Sequence, residues 1–213
     1  TFATLPFVGV VPALMDENGI ELEGNSVDGR LCIKFPWPSM ARTIWGNHQR
    51  YKETYFSAYD NMYFTGDGAL RDKNGHYRIT GRVDDVIIVS GHNLGTAPIE
   101  DAINEHPAVS ESAIVGYPHD IKGSALYGYV TLKNSDHSSE ALKTEINQLI
   151  SKQIGPIAKL NKIQFTNGLP KTRSGKIMRR ILRKIASKDT SNLGDISTLL
   201  NPEVVEMIIK NSQ

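Results

Sequence analysis

A lysine-containing loop near the end of the chain has the residue types that bind phosphate. Residues 169–176 read Leu-Pro-Lys-Thr-Arg-Ser-Gly-Lys and precede a basic helical pattern. A P-loop needs glycine at position 170 and Ser or Thr at position 177, where this chain has Pro170 and Ile177. The pattern therefore indicates a glycine-flanked cation, Lys176, that could reach phosphate or carboxylate oxygens.

The loop belongs to a strongly basic segment. Between Lys171 and Lys188 there are eight Lys or Arg residues and no Asp or Glu, although the whole chain has 24 basic and 23 acidic residues. Composition alone favours a solvated basic face over a phosphate site. Nucleic-acid binding is a further alternative, but the segment has no interleaved aromatic residues. We therefore expect no nucleic-acid partner, and the near-neutral total argues against a membrane surface.

A second candidate site is Gly66-Asp67-Gly68, where a carboxylate stands between two permissive residues. Such a carboxylate can accept hydrogen bonds from both hydroxyls of a ribose, but the tripeptide alone favours a turn aspartate that bonds its own backbone. Arg82 could pair with a phosphate or with Asp84 or Asp85, and the sequence leaves this choice open.

Two weaker signals follow. Residues 90–95, Ser-Gly-His-Asn-Leu-Gly, could converge backbone N–H groups on an anion, but they lack the third glycine of a dinucleotide fingerprint. The six histidines contain no His-Glu-x-x-His pattern, and no Gly-x-Ser-x-Gly motif is present. His106 precedes Pro107 at a predicted helix end, where the helix dipole explains it as well as a metal does.

The composition of the 213 residues is that of a globular protein, with 39% hydrophobic and 22% charged residues, and the length suits two small domains. A single cysteine, Cys32, indicates a cytoplasmic protein and packing rather than nucleophilic chemistry. No stretch approaches the ~20 apolar residues of a membrane span. The start, Thr1-Phe2-Ala3, is neither a signal peptide nor an initiator Met, so we expect a piece of a longer protein.

The elements that must position these residues differ between the two halves. Up to about Thr80 the pattern predicts a small antiparallel sheet, with a hairpin turn at Asn74-Gly75 and a short helix near residues 47–55. The cluster 81–85 marks a boundary.

After that boundary we predict a compact α+β domain of about three strands and three helices, followed by a terminal helix from Asn201-Pro202. The strands are expected at 86–89, 113–117 and 126–132, with a short β segment at 163–165. Thr96 is the candidate N-cap of the first helix, and Ser138 or Ser139 that of the second, which ends at Gly155-Pro156. The third helix has an apolar stripe between Ile177 and Ile185.

Four motifs in order resemble the C-terminal part of the adenylate-forming enzymes, and most closely the acetyl-coenzyme A synthetases. They are residues 63–67, 79–85, 89–97 and 169–186, and the segment 189–198 is also similar. The resemblance implies that residues 1–83 end a large N-terminal domain, that 84–190 form a mobile C-terminal lid domain, and that 191–213 are an extension. It also implies an acetate–CoA ligase that forms acetyl-AMP and pyrophosphate from ATP and then transfers acetyl to coenzyme A. A ligase for propionate or another short acyl acid, or a non-catalytic module with a basic helix, are the alternatives.

The resemblance assigns roles residue by residue. Lys176 would be the adenylation lysine and a target of protein acetylation, Asp67 and Arg82 would bind ATP or AMP, and Asp84 would be the hinge. Ser90 and Gly91 would lie near the coenzyme A thiol. Mg²⁺ would be held by His106 and by the carbonyls of Asn104 and Val109.

Two positions depart from the family pattern. Asn93 stands where the family usually has an arginine for the nucleotide, and Ser151 where it has one for coenzyme A, with Lys152 as a possible substitute. The expected partners are acetate, ATP, coenzyme A, the N-terminal domain of the same protein, and an acetyltransferase and deacetylase acting on Lys176. The family's phosphate loop and most of its acetate pocket lie upstream, so residues 1–213 alone should be inactive.

Overall fold

The computed structural model describes residues 2–134, 139–191 and 193–212, and it divides into two compact units between Asp84 and Asp85. The first unit is an antiparallel sheet in the order β1-β2-β3-β4 with one helix between β2 and β3. Its elements are β1 (Pro12–Met15), β2 (Val27–Ile33), α1 (His48–Phe56), β3 (Tyr63–Arg71) and β4 (Tyr77–Arg82). The predicted antiparallel β subdomain is confirmed.

The hairpin between β3 and β4 forms at the predicted turn. Gly75 has φ +82°, which glycine adopts without steric cost. The side chain of Asp72 accepts hydrogen bonds from the backbone N–H groups of His76 and Asn74, and these bonds lower the pKa of Asp72. On strand β2, Cys32 is fully buried, and desolvation raises the pKa of its thiol to about 11. This environment supports a packing role for Cys32.

The second unit is an α+β domain around a five-stranded sheet in the order β6-β5-β8-β7, with β9 parallel to β8. Its strands are β5 (Ile87–Val89), β6 (His92–Leu94), β7 (Val109–His119), β8 (Gly123–Leu132) and β9 (Lys162–Phe165), and its helices are α2 (Thr96–Asn104), α3 (Glu140–Gln153), α4 (Arg179–Ala186) and α5 (Glu203–Lys210). The α+β class is confirmed. Strand β9 coincides with the short β segment predicted at 163–165. Among the described residues, β6 is the strand that was not predicted, because its three residues carry little periodic signal.

The long β7–β8 hairpin separates two hydrophobic clusters, since successive side chains of a strand point to opposite faces. Ile114, Leu126 and Val130 pack with α2 and α3 on one face. Tyr127 and Tyr129 pack with α4 and α5 on the other. The apolar stripe of α4 is therefore core: Ile181, Leu182 and Ile185 are at most 1% exposed, and burial of each side chain stabilises the fold by roughly 1.5–3 kcal/mol.

Helix starts were predicted with mixed success. Ser139 is the N-cap of α3 and accepts a hydrogen bond from the Leu142 N–H, whereas Ser138 lies outside the described residues. The prediction that Thr96 caps α2 is wrong: Gly95 is the N-cap, and Thr96 is the first helical residue and is buried. Within the described residues, no helix has the length and apolar composition needed to cross a membrane.

Helix α5 contributes to the second cluster, which gives a stability test. Ile208 is fully buried, whereas Met207 is 38% exposed. We expect Ile208→Ala to lower the free energy of unfolding of this unit by about 2–5 kcal/mol and Met207→Ala by under about 1 kcal/mol. Urea unfolding followed by the near-UV circular dichroism of the tyrosines measures both. Equal losses for the two variants would contradict the packing described for α5.

Candidate functional site

The loop that carries Lys176 is a closed turn. The Thr172 N–H donates to the Lys176 carbonyl at 2.9 Å, and the Lys176 N–H donates to Thr172 Oγ1 at 3.1 Å. Gly175 has φ +83° and donates its N–H to the Thr172 carbonyl. These bonds fix the backbone at Lys176, which is exposed. The turn requires glycine at position 175 because residues with a side chain rarely adopt that backbone φ.

The two lysines of the loop have different surroundings. Lys171 Nζ lies 2.6 Å from Glu111 Oε2 on β7, so the charge of Lys171 is paired with a carboxylate of the same unit. For Lys176, the described part of the chain contains no ion-pair partner. The loop therefore presents one cation to solvent from a fixed backbone. An anionic ligand would find Lys176 without first displacing a carboxylate.

All three arginines of α4 are bonded within the second unit. Arg179 pairs with the buried carboxylate of Glu100, with Nη2 2.5 Å from Oε2. Arg183 pairs with Asp85 at 2.7 Å, and Arg180 donates to the Leu193 carbonyl at 3.0 Å. The basic composition of this helix thus serves internal contacts to a large extent.

Asp67 and Arg82 are brought together by the register of the β3–β4 hairpin, in which they stand opposite each other. Arg82 Nη1 is 3.7 Å from Asp67 Oδ1, and Arg82 Nε donates to Asp84 Oδ1 at 2.9 Å. Gly66, with φ +80°, lies under the guanidinium, where a Cβ would come within 2.5 Å of Arg82 Nη1. The glycine before Asp67 therefore lets Arg82 cross the backbone. Asp67 and Arg82 remain partly exposed and form a pair of opposite charges at the strand ends.

The predicted hinge, Asp84, is the last residue of the first unit and lies in a 3₁₀ turn, Val83–Asp85. The carboxylate of Asp85 contacts Arg183 at 2.7 Å and Arg179 at 4.0 Å. The chain is thus tied to helix α4 immediately after the boundary between the units.

Ser90 and Gly91 form the two-residue turn between β5 and β6. Both have positive φ, 49° and 81°, as a type I′ hairpin turn requires. The Ser90 N–H donates to the Lys122 carbonyl at 3.1 Å. That N–H is already bonded within the domain, which argues against the anion cradle suggested by the glycine spacing. Asn93 is exposed on β6, opposite Ile88.

His106 lies after α2, and both of its ring nitrogens have partners. Nδ1 accepts the Ala108 N–H at 3.3 Å, and Nε2 is 3.4 Å from Glu145 Oε2 on α3. The Asn104 side chain accepts a hydrogen bond from Ser112, and Val109 begins β7. The described residues contain no cluster of three His, Cys, Asp or Glu side chains suited to a metal. The two carbonyls predicted to hold Mg²⁺, those of Asn104 and Val109, are oxygen ligands of the kind this ion prefers, whereas His106 Nε2 would first have to leave Glu145.

The position predicted for coenzyme A on α3 has a buried hydroxyl. Ser151 Oγ is inaccessible and has no hydrogen-bond partner among the described residues. The neighbouring Lys152 is exposed and lines a groove of about 370 Å³ together with His106, Glu145 and Gln148. Lys152 is therefore better placed than Ser151 to meet a ligand.

Two residues of this region were missed by the sequence reasoning. Glu100 on α2 holds Arg179 and accepts the Ile114 N–H at 2.8 Å. Desolvation raises the pKa of Glu100, while the positive charge of Arg179 opposes that rise. Asn201 bonds the backbone at the base of the Lys176 loop. Both contacts join residues far apart in the chain, so no local pattern predicts them.

Comparison with known proteins identifies the domain. Residues 98–176 match the family of the AMP-binding enzyme C-terminal domain. The chain is 60% identical over 209 residues to the acetyl-coenzyme A synthetase of Alkalilimnicola ehrlichii, covering 98% of this chain and 32% of that protein. It is 56% identical over 211 residues to the same enzyme of Escherichia coli K12, again covering 32% of it. The chain spans about a third of the length of these relatives.

Solved structures agree in fold. An acetoacetyl-CoA synthetase from Streptomyces lividans superimposes with a TM-score of 0.83 at 22% identity, over 97% of this chain and 31% of that one. An anthranilate CoA ligase in complex with anthranoyl-AMP gives 0.77 at 28% identity, over 86% of this chain and 34% of that one. The resemblance seen in the four motifs is confirmed: residues 98–176 match the AMP-binding enzyme C-terminal domain family, and the chain is similar along its length to the C-terminal part of the acetyl-coenzyme A synthetases.

Proposed function

We propose that this chain is the C-terminal part of an acetate–CoA ligase. In the first step an acetate oxygen attacks the α-phosphorus of ATP, giving acetyl-AMP and pyrophosphate. In the second, the thiol of coenzyme A attacks the acetyl carbonyl, and AMP leaves. The identity of 56–60% to acetyl-coenzyme A synthetases over nearly the whole chain supports this activity.

The single observation that carries the proposal is the presentation of Lys176. Negative charge develops on phosphate oxygens as the bond to pyrophosphate breaks, and a cation already held in place stabilises that charge. Lys176 is exposed, its backbone is fixed by the Thr172 turn, and its neighbour Lys171 is neutralised by Glu111. Acetylation of Lys176 by a protein acetyltransferase would remove the charge and stop adenylation until a deacetylase restored it.

Asp67 and Arg82 are the proposed nucleotide contacts. The carboxylate of Asp67 would accept hydrogen bonds from the ribose hydroxyls, and the guanidinium of Arg82 would bind ribose or phosphate oxygens. Their separation of 3.7 Å lets both contact one sugar phosphate. Asn93 would contribute an uncharged amide donor where the family usually has arginine, and hence a weaker phosphate contact.

The second step would use other residues of the second unit. Ser90 and Gly91 would lie near the coenzyme A thiol, and Lys152 rather than Ser151, whose hydroxyl is inaccessible, would meet its phosphates. Asp84 would be the hinge about which the second unit turns between the steps. Its location at the boundary between the two compact units supports that role.

Mg²⁺ enters the proposal only as a prediction from the family resemblance. The ion would be held by His106 and the carbonyls of Asn104 and Val109. His106 would have to release its contact with Ala108 or Glu145 to bind it. No step described for Lys176, Asp67 or Arg82 depends on that ion. We place the protein in the cytoplasm, in keeping with its single cysteine.

The alternative of a nucleic-acid module is not favoured. Arg179, Arg183 and Arg180 of α4 bond to Glu100, Asp85 and the Leu193 carbonyl, so binding a phosphate backbone would compete with these contacts.

A ligase for propionate or another short acyl acid stays open, since the acyl pocket is expected upstream of this chain. Rates for acetate, propionate and butyrate with the complete protein decide it, and a preference for propionate would replace acetate as the substrate.

Removal of the Lys176 charge should act on one half-reaction. In the complete protein, Lys176→Ala should lower acetate-dependent ATP–pyrophosphate exchange by about 100-fold or more, the loss typical of one positioned charge-stabilising donor. Transfer of acetyl from supplied acetyl-AMP to coenzyme A should stay within about threefold of the wild-type rate, because that step forms no new charge at the pyrophosphate.

Lys159→Ala is the matched control, because Lys159 is an exposed lysine of the same unit outside the loop. It should leave both half-reactions unchanged. Formation of acetyl-AMP by Lys176→Ala at the wild-type rate would refute the role of Lys176.

Residues 1–213 alone are expected to have no ligase activity. Ligase activity from residues 1–213 alone would refute the expectation that the acetate and adenine pocket lies upstream.

Removal of the Asp67 carboxylate should weaken nucleotide binding. We expect Asp67→Asn to raise the KM for ATP by about 10-fold or more, since a charge-assisted hydrogen bond contributes roughly 1.5–3 kcal/mol. Asp60→Asn makes the same chemical change at an exposed position of the same unit and should leave the KM unchanged. Steady-state kinetics with varied ATP measure both, and an unchanged KM for Asp67→Asn would exclude the ribose contact.

A further inference from the structure

The residues after the family match lie against the base of the Lys176 loop. The match ends at residue 176, whereas the described structure continues through residues 193–212. Asn201 Nδ2 donates to the Leu169 carbonyl at 2.9 Å, and Asn201 Oδ1 accepts the Lys171 N–H at 3.1 Å. One side-chain amide thus holds the backbone on both sides of Pro170.

Backbone contacts from the same segment extend this attachment. The Leu200 N–H donates to the Lys171 carbonyl at 2.8 Å, and Leu199 forms a β-bridge with Thr172. Thr172 is the residue that closes the turn on Lys176. A continuous series of bonds therefore runs from Asn201 through Lys171 and Thr172 to the backbone of Lys176.

Asn201 is itself held in place by α5 and the second hydrophobic cluster. The Asn201 carbonyl accepts the Val204 N–H at 3.2 Å at the start of α5, and Leu199, Val205 and Ile208 are buried in the second hydrophobic cluster. Asn201 therefore transmits the position of a packed helix to the loop, rather than moving with the loop. The amide suits this position because its Nδ2 donates to one backbone group while its Oδ1 accepts from another.

We propose that Asn201 is a positioning residue for adenylation, which fixes the base of the Lys176 loop so that the ammonium meets the phosphate oxygens in the right place. The proposal rests on the proposed function, since it acts through Lys176. It predicts a selective effect: loss of the Asn201 contacts harms the half-reaction that needs Lys176 and leaves the transfer to coenzyme A intact. A displacement of about 1 Å can cost up to about 100-fold in rate.

The experiment compares two variants of the complete protein. Asn201→Ala removes both hydrogen bonds. Asn201→Asp keeps the shape of the side chain but replaces the donor to the Leu169 carbonyl by a carboxylate oxygen. Each is measured for acetate-dependent ATP–pyrophosphate exchange and for acetyl transfer from supplied acetyl-AMP to coenzyme A. Asn211→Ala and Asn211→Asp, at the exposed C-cap of α5, are the matched controls.

We expect both Asn201 variants to lower the exchange rate about 10-fold while acetyl transfer stays within about twofold of wild type, and both Asn211 variants to leave the two rates unchanged. The ratio of the rates is taken in one preparation, so loss of folded protein lowers both rates and does not imitate this result. Equal losses in both half-reactions, or wild-type exchange in Asn201→Asp, would overturn the assignment of Asn201.

The wild-type protein and Lys176→Ala separate this assignment from the proposed function. A wild type without acetate-dependent exchange, or Lys176→Ala with full exchange, would overturn the role of Lys176 and with it that of Asn201. An unchanged ratio of rates in the Asn201 variants, in a protein whose exchange does depend on Lys176, would overturn the positioning role alone.

Discussion

The second unit depends on one buried ion pair. Glu100 on α2 and Arg179 on α4 lie on elements that belong to different hydrophobic clusters, and Glu100 also accepts the Ile114 N–H of β7. A buried carboxylate without these partners would cost several kcal/mol. With them, its charge ties two helices and a strand together. Arg179 also approaches Asp85 at 4.0 Å, so the same pair reaches the first residue of the unit.

This arrangement explains how a strongly basic segment can leave one particular lysine available. Electrostatic repulsion among eight cations would spread the segment in solvent, but Arg179, Arg183 and Lys171 each have a carboxylate within 4 Å. These ion pairs hold α4 and the loop to the core. Lys176 alone among the loop lysines stays exposed without such a partner in the described residues. The local net charge is therefore a poor guide to function, and its distribution over contacts is a better one.

The sequence predicted those parts of the site that local chemistry determines. The Asn74-Gly75 hairpin follows from turn preferences, and its register places Asp67 opposite Arg82. The Gly175-Lys176 pair indicated an available cation, and the structure shows Lys176 exposed on a closed turn. The assignment of Lys176, Asp67 and Arg82 to a reaction came from their resemblance to a family, because neither a glycine-flanked lysine nor a glycine-flanked aspartate is specific by itself.

Other parts escaped prediction for identifiable reasons. Residues 90–95 were interpreted as a possible anion cradle because glycine spacing cannot distinguish a convergent loop from a type I′ turn, in which hydrogen bonds such as that from Ser90 to Lys122 use the N–H groups internally. The burial of Ser151 depends on which face of α3 meets the core. The Glu100–Arg179 pair and the Asn201 contacts join residues 79 and about 30 positions apart, and sequence periodicity carries no information on such pairs.

Under the proposed function the second unit is a mobile catalytic domain, and the same long-range contacts would reconcile two demands on it. A unit that changes position during a reaction must keep its own groups fixed, because a loose loop would add its disorder to that of the moving domain. The family match ends at the lysine, but the base of its loop is bonded to residues beyond the match, Leu199, Leu200 and Asn201. Burial of Val205 and Ile208 of α5 in the second cluster connects that support to the core of the unit. The extension is therefore best regarded as part of the mechanical frame of the lysine loop rather than as an appendage to a complete domain.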